Sequence, residues 1–347
     1  MAEARSGRQV QLDSYPRGEV RLEDFRVVEV EVDEPGPGEV LVRNTWTSVD
    51  PALRLRFAPD APPGYFPAFP LHAAMDGIVT VGEVVASRAE GFGVGDTVWH
   101  AAGWRDYAVV AAGVPALNGL ATLRRLDTEL APPQAYLGPL GGMGLTAYMG
   151  LFEAAELGEG DVVWVSAAAG AVGSLAAQFA RINRNRVIGS AGSAEKVAFL
   201  LDELGLDAAF DYKAGSVAEQ IAAAAPEGID VYFDNVGGDH LEAALGALRP
   251  GGRVALCGAI SDYETVEPSP GPSNLFQATA NQLTLRGFRG SAYSERIEEV
   301  QERVAGWLAS GELRYRESVT EGLENAPRAL VDLLAGRSIG KSLVRIA

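Results

Sequence analysis

The stretch Val162-Val163-Trp164-Val165-Ser166-Ala167-Ala168-Ala169-Gly170-Ala171-Val172-Gly173-Ser174 begins as an apolar run, turns through small residues and continues into a helical pattern over 174–181. Strand, glycine turn and helix in that order open a βαβ unit, in which a dinucleotide pyrophosphate rests on the helix N-terminus. Gly170 lets the backbone approach a pyrophosphate and Gly173 lets the helix pack closely. The first helical N–H groups, those of Ala171 and Val172 among them, bring donors and partial positive charge. Ala168 stands where the first glycine of this pattern usually stands. The competing reading is a helix packed tightly on a strand with no ligand, and the correct flanks favour the nucleotide.

An NAD site places a carboxylate roughly 20 residues beyond the glycine turn, on the ribose 2′-hydroxyl. Here that region reads Ser190-Ala191-Gly192-Ser193, with no carboxylate and with room for a 2′-phosphate. Lys196 supplies a countercharge, so NADPH is favoured over NADH. Against this, Glu195 adjoins Lys196, and a lysine on a solvated helix face needs no ligand to explain it.

Outward from this stretch, candidate strands at 162–166, 186–189, 208–212, 231–235, 253–257 and 283–288 alternate with helical segments. That alternation predicts a doubly wound parallel sheet, and with it a domain over 130–314. Upstream, short β-like runs at 28–32, 39–47, 78–86 and 97–100 are punctuated by Pro35-Gly36-Pro37-Gly38 and Gly93-Val94-Gly95-Asp96. They predict a β-rich domain, a partly open barrel, over 1–129. A strand at 343–346 returns to it, so 315–347 belongs with this domain. The proline-rich segment 267–272 reads as a surface lid, and 295–309 as an amphipathic helix.

The 347 residues carry 46 acidic and 29 basic side chains, a formal charge of −17 that repels nucleic acid and anionic membranes. Cys257 is the single cysteine, which excludes an internal disulfide and fits the reducing cytoplasm. Residues 1–11 are polar and lack an apolar signal core. The uncharged stretches 131–152 and 162–180 approach the length of a membrane span, but prolines and glycines in the first and polar residues in the second mark soluble segments. His72, His100 and His240 are scattered, and no cysteine lies in the first domain, so a zinc ligand set is not expected.

Several further motifs accompany the glycine turn: Ser48-Val49-Asp50-Pro51, Gly144-Leu145-Thr146-Ala147-Tyr148, Asp234-Asn235-Val236-Gly237-Gly238, Cys257-Gly258-Ala259-Ile260-Ser261 with Tyr263, and Gly340-Lys341. With these, nearly the whole chain resembles the zinc-independent medium-chain dehydrogenase/reductase family, in the group of prostaglandin, alkenal double-bond and curcumin reductases. The resemblance implies an α/β fold, a Rossmann doubly wound parallel sheet with a β-rich GroES-like domain, and a homodimer. It implies NADPH contacts at Gly170, Ala171, Val172, Gly173, Ser193, Lys196, Tyr212, Asn235, Cys257, Gly258, Ala259, Ile260, Ser261 and Phe288. The chain departs from the family at Ala52, where close relatives carry tyrosine, and at Ser338, where many carry asparagine and where one cofactor hydrogen bond is therefore altered.

The reaction that the resemblance implies is reduction of the carbon–carbon double bond of an α,β-unsaturated aldehyde or ketone, a small apolar carbonyl substrate. Hydride goes to the β-carbon and negative charge builds on the carbonyl oxygen, which a hydroxyl donor stabilises. Tyr263 matches the position of the family's donor; its alternative is a tyrosine packing the lid. Cys257 has no neighbouring base in the sequence and reads as a small strand-end residue. Phe276, Phe288 and Tyr293 suit either an apolar substrate wall or core packing. Quinone reduction, and an NADPH-binding protein without catalysis, are the alternatives to the ene-reductase reading.

Overall fold

Alternation of apolar and polar side chains makes the N-terminal part of the chain a series of strands. The computed structural model describes residues 5–62, 64–117, 119–266 and 269–347. The strands are β1 (Ser6–Leu12), β2 (Phe25–Glu31), β3 (Glu39–Ser48), β4 (Thr80–Ser87), β5 (Thr97–His100), β6 (Tyr107–Ala111) and β7 (Arg124–Arg125). The chain then passes through α1 (Gly142–Met149), β8 (Val162–Val165), α2 (Ala171–Ile182), β9 (Arg186–Ala191), α3 (Ala194–Ala198), β10 (Ala208–Asp211) and α4 (Val217–Ala224). It continues with β11 (Ile229–Asp234), α5 (Gly238–Ala247), β12 (Leu248–Leu256), α6 (Phe276–Ala280), β13 (Thr284–Gly287) and α7 (Ile297–Ser310). β14 (Glu317–Glu321), α8 (Ala326–Leu334) and β15 (Lys341–Arg345) complete it. Two units result, Met1–Gly138 with Glu317–Ala347, and Pro139–Arg316.

In the first unit a seven-stranded sheet runs β14-β15-β3-β4-β5-β7, with β6 paired to β3. β3 is the hub: it takes β15, β4 and β6 as antiparallel neighbours along its length. Val40, Val42, Val84 and Val98 form a core on one face. β1 lies in the stretch that reads as merely polar in the sequence. Its Val10 and Leu12 are fully buried, and it pairs with β2 from Ser6↔Glu31 to Leu12↔Phe25.

The second unit holds a six-stranded sheet in the order β10-β9-β8-β11-β12-β13, and all five strand pairs are parallel. This is the doubly wound order, and it reverses between β8 and β11. Trp164, Ile188, Tyr232 and Val254, contributed by the four central strands, fill the core under α4 and α5. The amphipathic reading of 295–309 corresponds to α7, which buries Ile297, Val300 and Val304 on one stripe and ends at Gly311 in the left-handed conformation. Among the described residues no helix is long and apolar enough to cross a membrane. Of the expected lid, Glu267 and Pro268 lie outside the described residues. Nearby, Ser269 bonds Asp262 at 2.6 Å, while Ser273 and Asn274 bond Glu242 of α5.

A buried ion pair ties the return strand of the first unit to the end of β3. Lys341 Nζ donates to Asp50 Oδ1 at 2.9 Å and to the Val49 carbonyl at 2.8 Å, and Ser48 donates to the other Asp50 oxygen. Burial pulls the Lys341 ammonium below its ordinary range while Asp50 opposes the shift. Breaking such a pair leaves one buried charge uncompensated, whereas replacing both partners with apolar residues does not. Asp50→Asn is expected to lower stability by about 3–5 kcal/mol. The double variant Asp50→Leu/Lys341→Met should recover most of that loss; denaturant unfolding of the single and double variants measures both.

Candidate functional site

Ligands of doubly wound sheets bind beyond the carboxyl ends of the strands where the order reverses, here at β8 and β11. Ser166 and Asn235 join those two ends. Asn235 donates its backbone N–H to Ser166 Oγ at 2.9 Å and its side-chain amide to the Ser166 carbonyl at 2.7 Å. Asp234, almost fully buried, accepts on one carboxylate oxygen from Tyr232 O–H (2.8 Å), Val236 N–H (3.0 Å) and Gly237 N–H (2.9 Å). Burial raises the Asp234 carboxyl above its ordinary range, and the Gly237, Tyr232 and Val236 hydrogen bonds pull it back. Burial likewise pushes the Tyr232 phenol well up.

On the β8 side, Ala167 adopts φ +46° and the chain turns into α2, with Gly170 as its N-cap. No side chain caps this helix, so the first-turn amides retain donors for an anion. Gly173 is required by close approach: a Cβ there would lie 2.3 Å from the Ala167 carbonyl oxygen. The constraint at Gly170 is milder, 3.2 Å from the same oxygen. The first-turn amides of α2 after Gly170 thus stand uncapped beyond the carboxyl end of β8.

On the β11 side, the loop after β12 is sewn to residues 234–236 through the main chain. Cys257 N–H (2.9 Å) and Gly258 N–H (3.0 Å) donate to the Asp234 carbonyl, Ile260 N–H to Asn235 (3.2 Å) and Ser261 N–H to Val236 (3.2 Å). Ser261 Oγ adds a bond to the Val236 carbonyl at 2.6 Å. Ala259 precedes the single helical turn over Ile260–Asp262, and Tyr263 closes it. The Tyr263 phenol turns back over Gly258, where an added Cβ would stand 3.2 Å from its oxygen. Burial raises Tyr263 above the ordinary phenol range, a backbone hydrogen bond at Ala259 opposes this, and the charges of Cys257 and Asp234 reinforce it. The Cys257 thiol is pushed up to about 12, by burial first and then by Asp234, and is not a nucleophile at neutral pH.

A third cluster lies where β9 and β10 end. Tyr212 N–H bonds the Ala191 carbonyl at 3.0 Å, which sets Gly192-Ser193 beside Tyr212. Ser193 caps α3 by accepting from Lys196 N–H at 3.3 Å. The Tyr212 ring covers Gly192, where a Cβ would meet the ring at 2.9 Å. Burial lowers the Lys196 ammonium, Lys213 lowers it further, and Glu195 opposes. Phe288 follows β13, packs edge-on to Phe233 at 6.1 Å and has its N–H 3.4 Å from the Leu256 carbonyl. Tyr293 is partly buried, whereas Phe276 is 77% exposed and belongs to no core. Ser338 lies in the first unit, just before Gly340 and β15, and Ala52 lies in the short helix Pro51–Arg56 of that unit.

The expected residues of the second unit therefore gather at the carboxyl ends of its strands. Sequence reasoning passed over Ser166, Tyr232 and the environment of His240. The signal for Ser166 was a polar residue immediately after an apolar run. His240 is buried between Trp164, stacked at 5.8 Å, and Tyr212, edge-on at 5.1 Å. Among the described residues, no group of three or more His, Cys, Asp or Glu is arranged to hold a metal ion.

Two family models match the chain: one described as the N-terminal domain of oxidoreductase over residues 8–116, and one described as zinc-binding dehydrogenase over residues 171–308. The metal named in the second description finds no ligand set among the described residues, and no chemical step is assigned to it. The NADPH-dependent curcumin reductase of Escherichia coli is 38% identical, covering 97% of this chain and 96% of that protein. The NADP(+)-dependent 2-alkenal reductase of Nicotiana tabacum is 37% identical, covering 100% and 99%. The crystal structure of CurA from Vibrio vulnificus in complex with NADPH superposes with a TM-score of 0.90 at 37% identity, covering 98% of this chain and 99% of that one.

Burial depresses His240 from 6.5 to about 4, and its Nε2 has no hydrogen-bond partner among the described residues. Its folded value lies below its unfolded one, so its contribution to stability is complete above 6.5 and is lost as pH falls from 6.5 toward 4. His240→Phe keeps the stacking and removes an unsatisfied nitrogen. At pH 8 it should be within about 1 kcal/mol of the parent. Between pH 6 and 5 it should remove about 1 kcal/mol of the acid-induced loss, as measured by denaturant unfolding across pH.

Proposed function

The chain belongs to the medium-chain dehydrogenase/reductase family, in the group of curcumin, alkenal and prostaglandin reductases, and from that membership we propose that it reduces the carbon–carbon double bond of small apolar enals or enones with NADPH. The observation that carries this reading is the position of Tyr263. A phenol held protonated by its surroundings sits on the same loop whose main chain is fastened to the end of β11, at the switch point. Relatives named as reductases of curcumin, 2-alkenals and prostaglandins support the substrate class.

When bound, NADPH supplies the hydride. Gly170 to Gly173 offer the amides of α2 to the pyrophosphate, Asn235 and the main chain of 257–261 border the same crevice, and Lys196 with Tyr212 takes the 2′-phosphate end. With hydride added at the β-carbon, charge moves to the carbonyl oxygen, the Tyr263 O–H hydrogen-bonds that oxygen and stabilises the enolate, and a proton from solvent added at the α-carbon completes the reduction. Asp234 does not touch substrate; its carboxylate orders the 235–237 turn, and its carbonyl anchors the Tyr263 loop. A chain with one cysteine suits the reducing cytoplasm, and a homodimer accords with the family resemblance.

NADPH oxidation with a panel of enals, enones and quinones, beside an NADH control, tests the reading. Turnover of enals or enones is expected, with kcat reduced about 10²-fold or more in Tyr263→Phe and NADPH affinity unchanged. Because the phenol is raised, no loss of rate from its ionisation is expected between pH 7 and 9. Turnover of quinones alone, undiminished in Tyr263→Phe, would replace the proposal with quinone reduction, and NADPH binding without turnover would refute it.

A further inference from the structure

The cluster at the ends of β9 and β10 contains a second cation that no motif picks out. Lys213 follows Tyr212, and its N–H is fixed by Asp211 Oδ1 at 2.9 Å. Its Nζ stands 5.7 Å from the centroid of the Tyr212 ring. That ring lies against Gly192 and edge-on to His240, and the Tyr212 backbone N–H is tied to the Ala191 carbonyl. Ser193 follows Gly192 on the neighbouring strand exit and accepts from the Lys196 N–H at 3.3 Å.

We propose that Lys213 is a specificity-determining residue for the cofactor, a second ammonium that pairs with Lys196 around the 2′-phosphate and excludes NADH through the loss of that phosphate. The inference rests on the NADPH reading above and deepens it. The two lysines interact: the charge of Lys213 helps to lower the Lys196 ammonium, and Glu195 compensates only in part. Like charges held near one another are a cost that a dianion between them removes. A phosphomonoester at neutral pH carries that double charge, whereas the ribose hydroxyl of NADH carries none. The chain is otherwise strongly acidic, at −17, so a site for a dianion needs local cations of this kind.

The test is calorimetric titration of the full chain and of Lys213→Ala, Lys213→Arg and Lys196→Ala with NADPH, NADH, 2′,5′-ADP and 5′-AMP. Lys213→Ala should weaken NADPH and 2′,5′-ADP about tenfold, with NADH and 5′-AMP within about twofold of the parent; Lys213→Arg should restore most of the loss. The tenfold effect should shrink as salt is raised. If Lys213→Ala leaves 2′,5′-ADP binding intact while Lys196→Ala abolishes it, Lys213 is a surface lysine and the proposal falls while the NADPH reading stands. Equal weakening of NADPH and NADH overturns it too, as a loss of folding at the β10 exit. Failure of the parent chain to prefer NADPH over NADH refutes both readings together.

Discussion

Two neighbouring parallel strands whose chains leave in opposite directions expose backbone groups at their common end, and the meeting of Ser166 with Asn235 closes that end here. Each buried polar group left unpaired costs about 1–3 kcal/mol, so the pairing governs more than its own two residues. The Ser166 hydroxyl accepts from the Asn235 N–H and donates to the Phe233 carbonyl, the Ser166 carbonyl accepts from the Asn235 amide, the Asn235 carbonyl then takes Ile260, and the preceding Asp234 carbonyl takes Cys257 and Gly258. The turn before α2 and the loop that carries Tyr263 are therefore two arms of one polar node. Moving either strand end would release donors in both arms.

Burial of carboxylates recurs at strand ends, with two solutions. Asp50, after β3, is balanced by a whole cation, Lys341. Asp234, at the end of β11, is balanced by amide and phenol dipoles. The first solution fixes one strand to another in the β-rich unit. Beside the second, burial is the main reason that Cys257 and Tyr263 stay protonated, and the charge of Asp234 adds to it.

The parallel strands were legible as short apolar runs between turns: the run read at 162–166 is β8, Val162–Val165, and in the antiparallel sheet the run read at 97–100 is β5. β1 was not, since only Val10 and Leu12 mark its buried face and the residues before them are polar. β12 begins earlier than its apolar run because it includes the Arg249-Pro250-Gly251-Gly252 stretch. Gly173 was legible as a packing position, and the structure gives the reason in a single close oxygen. The polar node was not legible: Ser166 is an ordinary serine until β11 lies beside β8. Likewise His240, one of three scattered histidines, gains meaning only from Trp164 and Tyr212 on either side of it.

The fastening of the 257–263 loop has a consequence for how such a protein diverges. Four of its anchoring contacts are made by amide hydrogens of Cys257, Gly258, Ile260 and Ser261, which nearly every residue type possesses. Drift at Cys257 or Ile260 therefore leaves the anchor intact, whereas proline at any of the four would remove one. The heritable constraint falls on loop length and on the acceptors at 234–236, and the side chains above the crevice are released to explore new acceptors without unpicking the scaffold beneath them.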